Sequence, residues 1–133
     1  QYLIEINSAD STKLVELKGI GPVLASRIIK FRKKLGGFYS IFQLKEVYGI
    51  KPETFEKIKD NITADTSQIK KININEAGYH ELKNHPYIGN YEAQAIIAYK
   101  KIKGRINNLF ELVDNKIITD SVAKKVSYYF CFN

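Results

Sequence analysis

The chain has 133 residues, 44% of them apolar and 26% charged, a balance that excludes a disordered tract and accommodates either one domain or two small helical units. Its formal net charge of +7 favours an acidic partner, either nucleic acid or an anionic membrane surface. The single cysteine, Cys131, excludes an intramolecular disulfide and a cysteine-built metal site, and no apolar run reaches the roughly 20 residues that span a bilayer.

In chain order, Ile4 and Ile6 form a short extended approach. Asn7 and Ser8 are suited to cap a first helix whose apolar stripe, Leu14 and Leu17, ends at Gly19. After Gly19-Ile20-Gly21, Pro22 stands where a helix tolerates it best, at its first position. Leu24, Ile28, Phe31 and Leu35 then recur at helical spacing until Gly36-Gly37, which predicts a second, longer helix. Ser40 is suited to cap a short segment carrying Phe42, Leu44 and Val47. A turn follows at Tyr48-Gly49-Ile50, and Pro52 opens a fourth helix expected to contain Phe55, Ile58 and Ile62. Residues 63–70 are short and polar and read as a linker.

The sequence then repeats itself without a gap, displaced by 68 positions. Ile4, Ile6, Asn7, Ala9 and Leu14 fall on Ile72, Ile74, Asn75, Ala77 and Leu82; Ile20, Gly21, Ala25 and Ile28 fall on Ile88, Gly89, Ala93 and Ile96. Caps are expected at Asn75 and Asn108, with apolar stripes at Ile96, Tyr99 and Ile102 and at Val122, Val126 and Phe130. The expected organisation is all-α: a first repeat over 1–62, a linker over 63–70 and a divergent second repeat over 71–133, each of about four helices.

Chemistry is concentrated in Leu17-Lys18-Gly19-Ile20-Gly21-Pro22-Val23-Leu24-Ala25. Two glycines let the backbone turn tightly and approach another surface, and the amides that begin the next helix, aided by its dipole, suit a phosphate oxygen. Ile20 between them points inward, and Ala25 lets two helices cross closely. Anion binding of this kind reads no base and is therefore independent of sequence. Lys18 precedes the turn, and Arg27, Lys30 and Lys34 follow at helical spacing on one face, a candidate phosphate track. Lys100, Lys101, Lys103 and Arg105 offer a displaced version in the copy.

The pattern apolar-x-Gly-apolar-Gly, followed by Ala25 and then Ile28-Ile29, resembles the signature of the helix-hairpin-helix family. With Ile6-Asn7-Ser8-Ala9-Asp10 before it and Gly37-Phe38-Tyr39-Ser40 and Tyr48-Gly49-Ile50 after it, the frame resembles the ComEA-like branch over most of the chain. That resemblance implies a non-enzymatic, extracytoplasmic, membrane-tethered receptor for double-stranded DNA, with Gly19, Ile20 and Gly21 amides on a phosphate, Val23 and Gly49 beside them, and other uptake-machinery proteins as partners. It also leaves room for a monovalent cation on hairpin carbonyls, which nothing in the residues requires; no other cofactor and no small-molecule substrate is expected. The chain contains no methionine, so it is expected to be a processed product or part of something longer, with any export signal or anchor upstream.

The second repeat departs from the pattern. Its hairpin is Tyr87-Ile88-Gly89-Asn90, with Tyr87 in place of the first glycine and Glu92 in the first helical turn, and the last hairpin, Asn115-Lys116-Ile117-Ile118-Thr119, has no glycine. The first hairpin is therefore the expected principal site, with Ile88, Gly89 and Asn90 in a supporting or structural role. His80 and His85 have no carboxylate or cysteine at ligand spacing, so no metal is expected. The tyrosines at 39, 48, 79, 99, 128 and 129 are expected in the core or at its edge rather than on bases. Resemblance to the DNA glycosylases that share the motif would require a lysine just after the hairpin, where this chain has Pro22-Val23-Leu24-Ala25-Ser26. Two rivals remain: a helical interaction scaffold that has lost DNA affinity, and the accessory DNA-binding part of a larger nuclease or polymerase.

Overall fold

A computed structural model describes residues 2–133 as an all-α chain with short strand pairs, divided into two compact units that meet in sequence between Ile69 and Lys70. In the first unit β1 (Ile4–Glu5) lies parallel to β2 (Ile62–Thr63), with Ile4 opposite Ile62. Between them run α1 (Ser11–Leu14), α2 (Pro22–Leu35), a 3-10 segment (Ile41–Glu46) and α3 (Pro52–Ile58). The core is Ile6, Leu14, Ile28, Leu35, Phe38, Leu44, Phe55 and Ile58.

Local signals fix most of these boundaries. Pro22 opens α2, and Gly36 ends it in the left-handed conformation at φ 96°. Ser40 accepts from the Phe42 amide at 3.1 Å while the Gln43 side chain reaches back to the Ser40 amide at 3.2 Å, a capping box that starts the 3-10 segment.

Three expectations are corrected here. Asn7 caps no helix: its Oδ1 accepts from the Phe38 amide at 2.7 Å and its Nδ2 donates to the Phe38 and Asp65 carbonyls at 2.8 and 3.0 Å. Nor does Ser8, whose hydroxyl donates to Glu5; residues 6–8 turn first, and Asp10 caps α1 by accepting from the Lys13 amide at 2.9 Å. Ile62 belongs to β2 rather than the last helix, because α3 gives way to a 3-10 turn at Lys59–Asn61. Residues 63–69 are tied to the first unit rather than running as a bare linker: Thr63 pairs in β2, and the Asp65 amide donates to the Glu5 carboxylate at 2.8 Å.

The second unit repeats the plan. β3 (Ile72–Asn73) lies parallel to β4 (Phe130–Cys131), and α4 (Tyr79–Lys83), α5 (Asn90–Lys103), α6 (Leu109–Asp114) and α7 (Asp120–Val126) lie between them in sequence. Asn108 caps α6, accepting from the Glu111 amide at 3.0 Å. Asn75, also expected as a cap, instead accepts from the Ile106 amide and donates to its carbonyl, each at 2.8 Å, the brace seen at Asn7. Phe130 leaves the expected helical stripe for β4, and Ile102 is 85% exposed because α5 has passed the core by its last turn.

Candidate functional site

The first hairpin joins α1 to α2. Gly19 adopts φ 88°, a backbone that favours glycine, and a Cβ there would press on the Thr54 methyl at 3.3 Å. Ile20 is buried and its amide donates to the Leu17 carbonyl at 3.0 Å, pinning the turn. Gly21 is the N-cap of α2 in an extended conformation, and a Cβ there would meet nothing within 4 Å. Among the described residues neither the Gly19 nor the Gly21 amide donates to an acceptor. Pro22 has no N–H, and the first rung of α2 runs from the Ala25 amide to the Gly21 carbonyl at 2.9 Å, so the Val23 and Leu24 amides lie ahead of the ladder. The result is a set of outward amides at the positive end of a 14-residue helix, with exposed glycine in front of it. Val23 is 63% exposed at its rim.

The second hairpin stands beside this helix. Gly49 has φ 95°, and a Cβ there would fall 2.5 Å from Arg27 Nη1 and 2.9 Å from Leu24 Cδ2. Its bareness lets Arg27 lie across the turn, donating to the Tyr48 carbonyl at 3.2 Å with the guanidinium 4.8 Å from the Tyr48 ring centroid. Tyr48, expected at the core edge, is 82% exposed, since its ring rests on Arg27 from outside.

The basic row is divided by this contact. Arg27 turns to the second hairpin, whereas Lys30 lines a cleft with Ser11, Thr12 and Val15 of the α1 side; Lys18 and Lys34 are exposed. Arg32, absent from the sequence-based candidates, is structural: it donates to the Ile6 and Ala9 carbonyls at 2.9 and 2.7 Å, and burial lowers its pKa against the opposing pull of Glu5. Its counterpart in the copy is Lys100, which donates to the Ala77 carbonyl at 2.8 Å and is likewise lowered by burial. The repeat offset, which sets Arg32 on Lys100 and Ala9 on Ala77, was the signal for this pair. Arg105 donates to the Phe132 and Asn133 carbonyls, so Lys100 and Arg105 are engaged in holding the second unit's own backbone.

The second repeat's hairpin differs in the one property that matters for anions. Lys116 is the sole non-glycine residue with positive φ among those described, so Tyr87 does not reproduce the left-handed backbone of Gly19. Its amide donates to Nδ1 of the buried His85 at 3.1 Å, and the Gly89 amide donates to the Glu92 carboxylate at 3.1 Å. Ile88 is buried, and the Asn90 side chain accepts from the Tyr79 hydroxyl. The last hairpin is closed as well, with Lys116 at φ 59° and the Lys116 and Ile117 amides each bonded at 2.9 Å to carbonyls of α6.

Comparison with known proteins agrees with this geometry. A family model described as helix-hairpin-helix motif matches residues 1–63 and again 67–131. ComE operon protein 1 of Bacillus subtilis is 41% identical over 61 residues, covering 46% of this chain and 30% of that protein. An uncharacterized protein of Haemophilus influenzae is 40% identical over 60 residues, covering 44% of this chain and 54% of its own length. Endonuclease/exonuclease/phosphatase family domain-containing protein 1 of Xenopus laevis is 22% identical over 96% of this chain, which spans 27% of it. The chain thus spans from about a quarter to about half of the length of these relatives, and no solved structure matches it. With the motif matched twice and covering nearly every residue, the chain belongs to the helix-hairpin-helix family, as two tandem copies of the ComEA-like kind.

Proposed function

We propose that this protein binds double-stranded DNA through the phosphate backbone, without sequence preference, and that its first repeat makes the contact. The observation that carries this reading is the contrast between hairpins: the Gly19 and Gly21 amides have no acceptor among the described residues, whereas the Tyr87 and Gly89 amides are already bonded to His85 and Glu92. A phosphate oxygen is the acceptor suited to several outward amides at a helix N-terminus. Lys18, Arg27, Lys30, Lys34 and the rim residue Val23 surround that point, and Gly49 keeps Arg27 in place. Ile88, Gly89 and Asn90 then serve the second unit's own structure. The contact makes and breaks no covalent bond and needs no cofactor.

Membership of the family and similarity to ComE operon protein 1 support a role in DNA uptake on the outer side of the cytoplasmic membrane, alongside other uptake proteins. No helix among the described residues is long and apolar enough to cross a membrane, so a tether would be supplied from elsewhere. A second reading, as the DNA-binding part of a longer protein with a catalytic domain, is favoured by the match of 96% of this chain to 27% of the Xenopus laevis relative.

The test is fluorescence anisotropy of two labelled duplexes of unrelated sequence across a salt series. If three of the four cations neutralise phosphates, affinity falls with a log–log slope of about −2.7, roughly fortyfold between about 50 and 200 mM salt, and alike for both duplexes. Absence of binding at low salt, where attraction is strongest, would remove the DNA reading. The longer-protein reading is tested on the full reading frame, by assaying its product for nuclease activity.

A further inference from the structure

We infer that the groove between α6 and α7 of the second repeat receives an aromatic side chain from a partner polypeptide. The first repeat contains the template. There Phe55 is fully buried, its ring lies 5.5 Å from that of Phe42, and the Lys45 ammonium covers both, 5.1 Å from the Phe55 centroid and 5.7 Å from that of Phe42. At the corresponding positions the second repeat keeps the outer ring, as Phe110, but has Ala123 in place of Phe55 and Val113 in place of Lys45.

Removing the inner ring and its lysine cover leaves a groove of about 380 Å³, lined by Leu109, Phe110, Val113, Ala123, Lys124 and Tyr128, with Asp120 and Ser127 completing its edge. Phe110 is 77% exposed where Phe42 is 59%, and Tyr128 is 47% exposed. An uncovered apolar groove with a polar rim is the form of a protein-docking pocket, and its anchor is most often aromatic. Where the first repeat holds a phenyl ring the second has only the Ala123 methyl group, so an aromatic ring is the side chain the groove lacks. Asp120 and Lys124 on α7 leave the lining without net charge, so it offers a phosphate no attraction and suits an uncharged polypeptide segment over a nucleic-acid strand.

The experiment titrates the full ¹⁵N-labelled chain with N-acetyl-phenylalaninamide, with N-acetyl-alaninamide and a short oligothymidylate as controls, and follows amide shifts. The expected result is a saturable shift at Val113, Ala123 and Ser127 with the phenylalanine probe and none with alanine. Phe110→Ala, at an exposed position, weakens binding by about three- to tenfold through loss of one ring wall. Ala123→Phe, which restores the first repeat's residue, abolishes it and leaves duplex affinity unchanged. An absent shift, an equal shift in the folded Ala123→Phe variant, or preference for oligothymidylate overturns the proposal. Concentration-dependent dimerisation of the parent that Ala123→Phe abolishes would instead make a second copy the occupant, and also overturns it.

Discussion

Gly21→Asp separates DNA binding from folding more cleanly than any other change at the hairpin. Gly21 sits at φ −93°, ψ −173°, nearly the backbone of Asp10, which already caps α1 at φ −85°, ψ 179°. An aspartate there meets nothing within 4 Å and is placed to accept from the Leu24 amide, as Asp10 accepts from Lys13. Exchanging glycine for a good N-cap changes helix stability by a few tenths of a kcal/mol, in the favourable direction. The same carboxylate consumes one outward amide and sets a negative charge where the phosphate docks. Losing a charge-assisted hydrogen bond costs about 2–3 kcal/mol, or about 30- to 150-fold in affinity. The assay pairs anisotropy with urea unfolding, and Gly21→Asn, a neutral cap, divides the effect between amide capture and charge. A folded Gly21→Asp protein that binds duplex as tightly as the parent refutes the phosphate clamp.

Gly49→Ala is expected to destabilise the first unit by about 1–3 kcal/mol, because its left-handed backbone disfavours a side chain and the new methyl collides with Arg27 and Leu24. The same change in an Arg27→Ala background removes one of the two collisions; equal losses in urea midpoints in the two backgrounds would show that the Arg27 contact is immaterial. Arg32→Ala strips partners from the Ile6 and Ala9 carbonyls and should cost about 2–3 kcal/mol without altering the duplex affinity of the folded protein, while Arg32→Lys, the residue type at position 100, loses less. In the second unit, the hydrogen bond from Tyr99 and the Asn107 amide hold Glu111 below the usual carboxylate range, and the same bond, helped by burial, pushes Tyr99 up to about 12. Glu111 therefore contributes stability that is present above its unfolded value and is lost as pH falls through the lower folded one. Tyr99 contributes stability that is lost as pH rises from 10 to about 12. Melting curves against pH should show both flanks for the parent, and Glu111→Gln should flatten the acidic one; an unchanged acidic flank sinks the assignment.

The duplication, the α2 boundaries at Pro22 and Gly36 and the glycine hairpin at 19–21 were legible in the sequence because each rests on neighbours within one or two turns. Pro22 fixes its own φ, Gly36 and Gly19 accept positive φ, and an offset needs only a one-dimensional comparison. What lay beyond reach depended on partners distant along the chain. Asn7 and Asn75 look like helix caps, yet each braces the loop 31 residues away that follows the long helix of its unit; Arg32 looks like one more surface cation, yet it closes two carbonyls 23 and 26 residues back. Ile62 and Phe130 continue a helical period but are taken into parallel pairs with residues 58 positions earlier, since the strand at each unit's entry offers hydrogen bonds the helix end cannot. The sequence also showed that the second repeat's hairpin at residues 87–90 was degraded, but not how. Whether an amide faces outward depends on the acceptor that packing delivers to it. It was the fold that brought His85, buried against Tyr129, under the Tyr87 amide, and left the amides of Gly19 and Gly21 with no acceptor among the described residues.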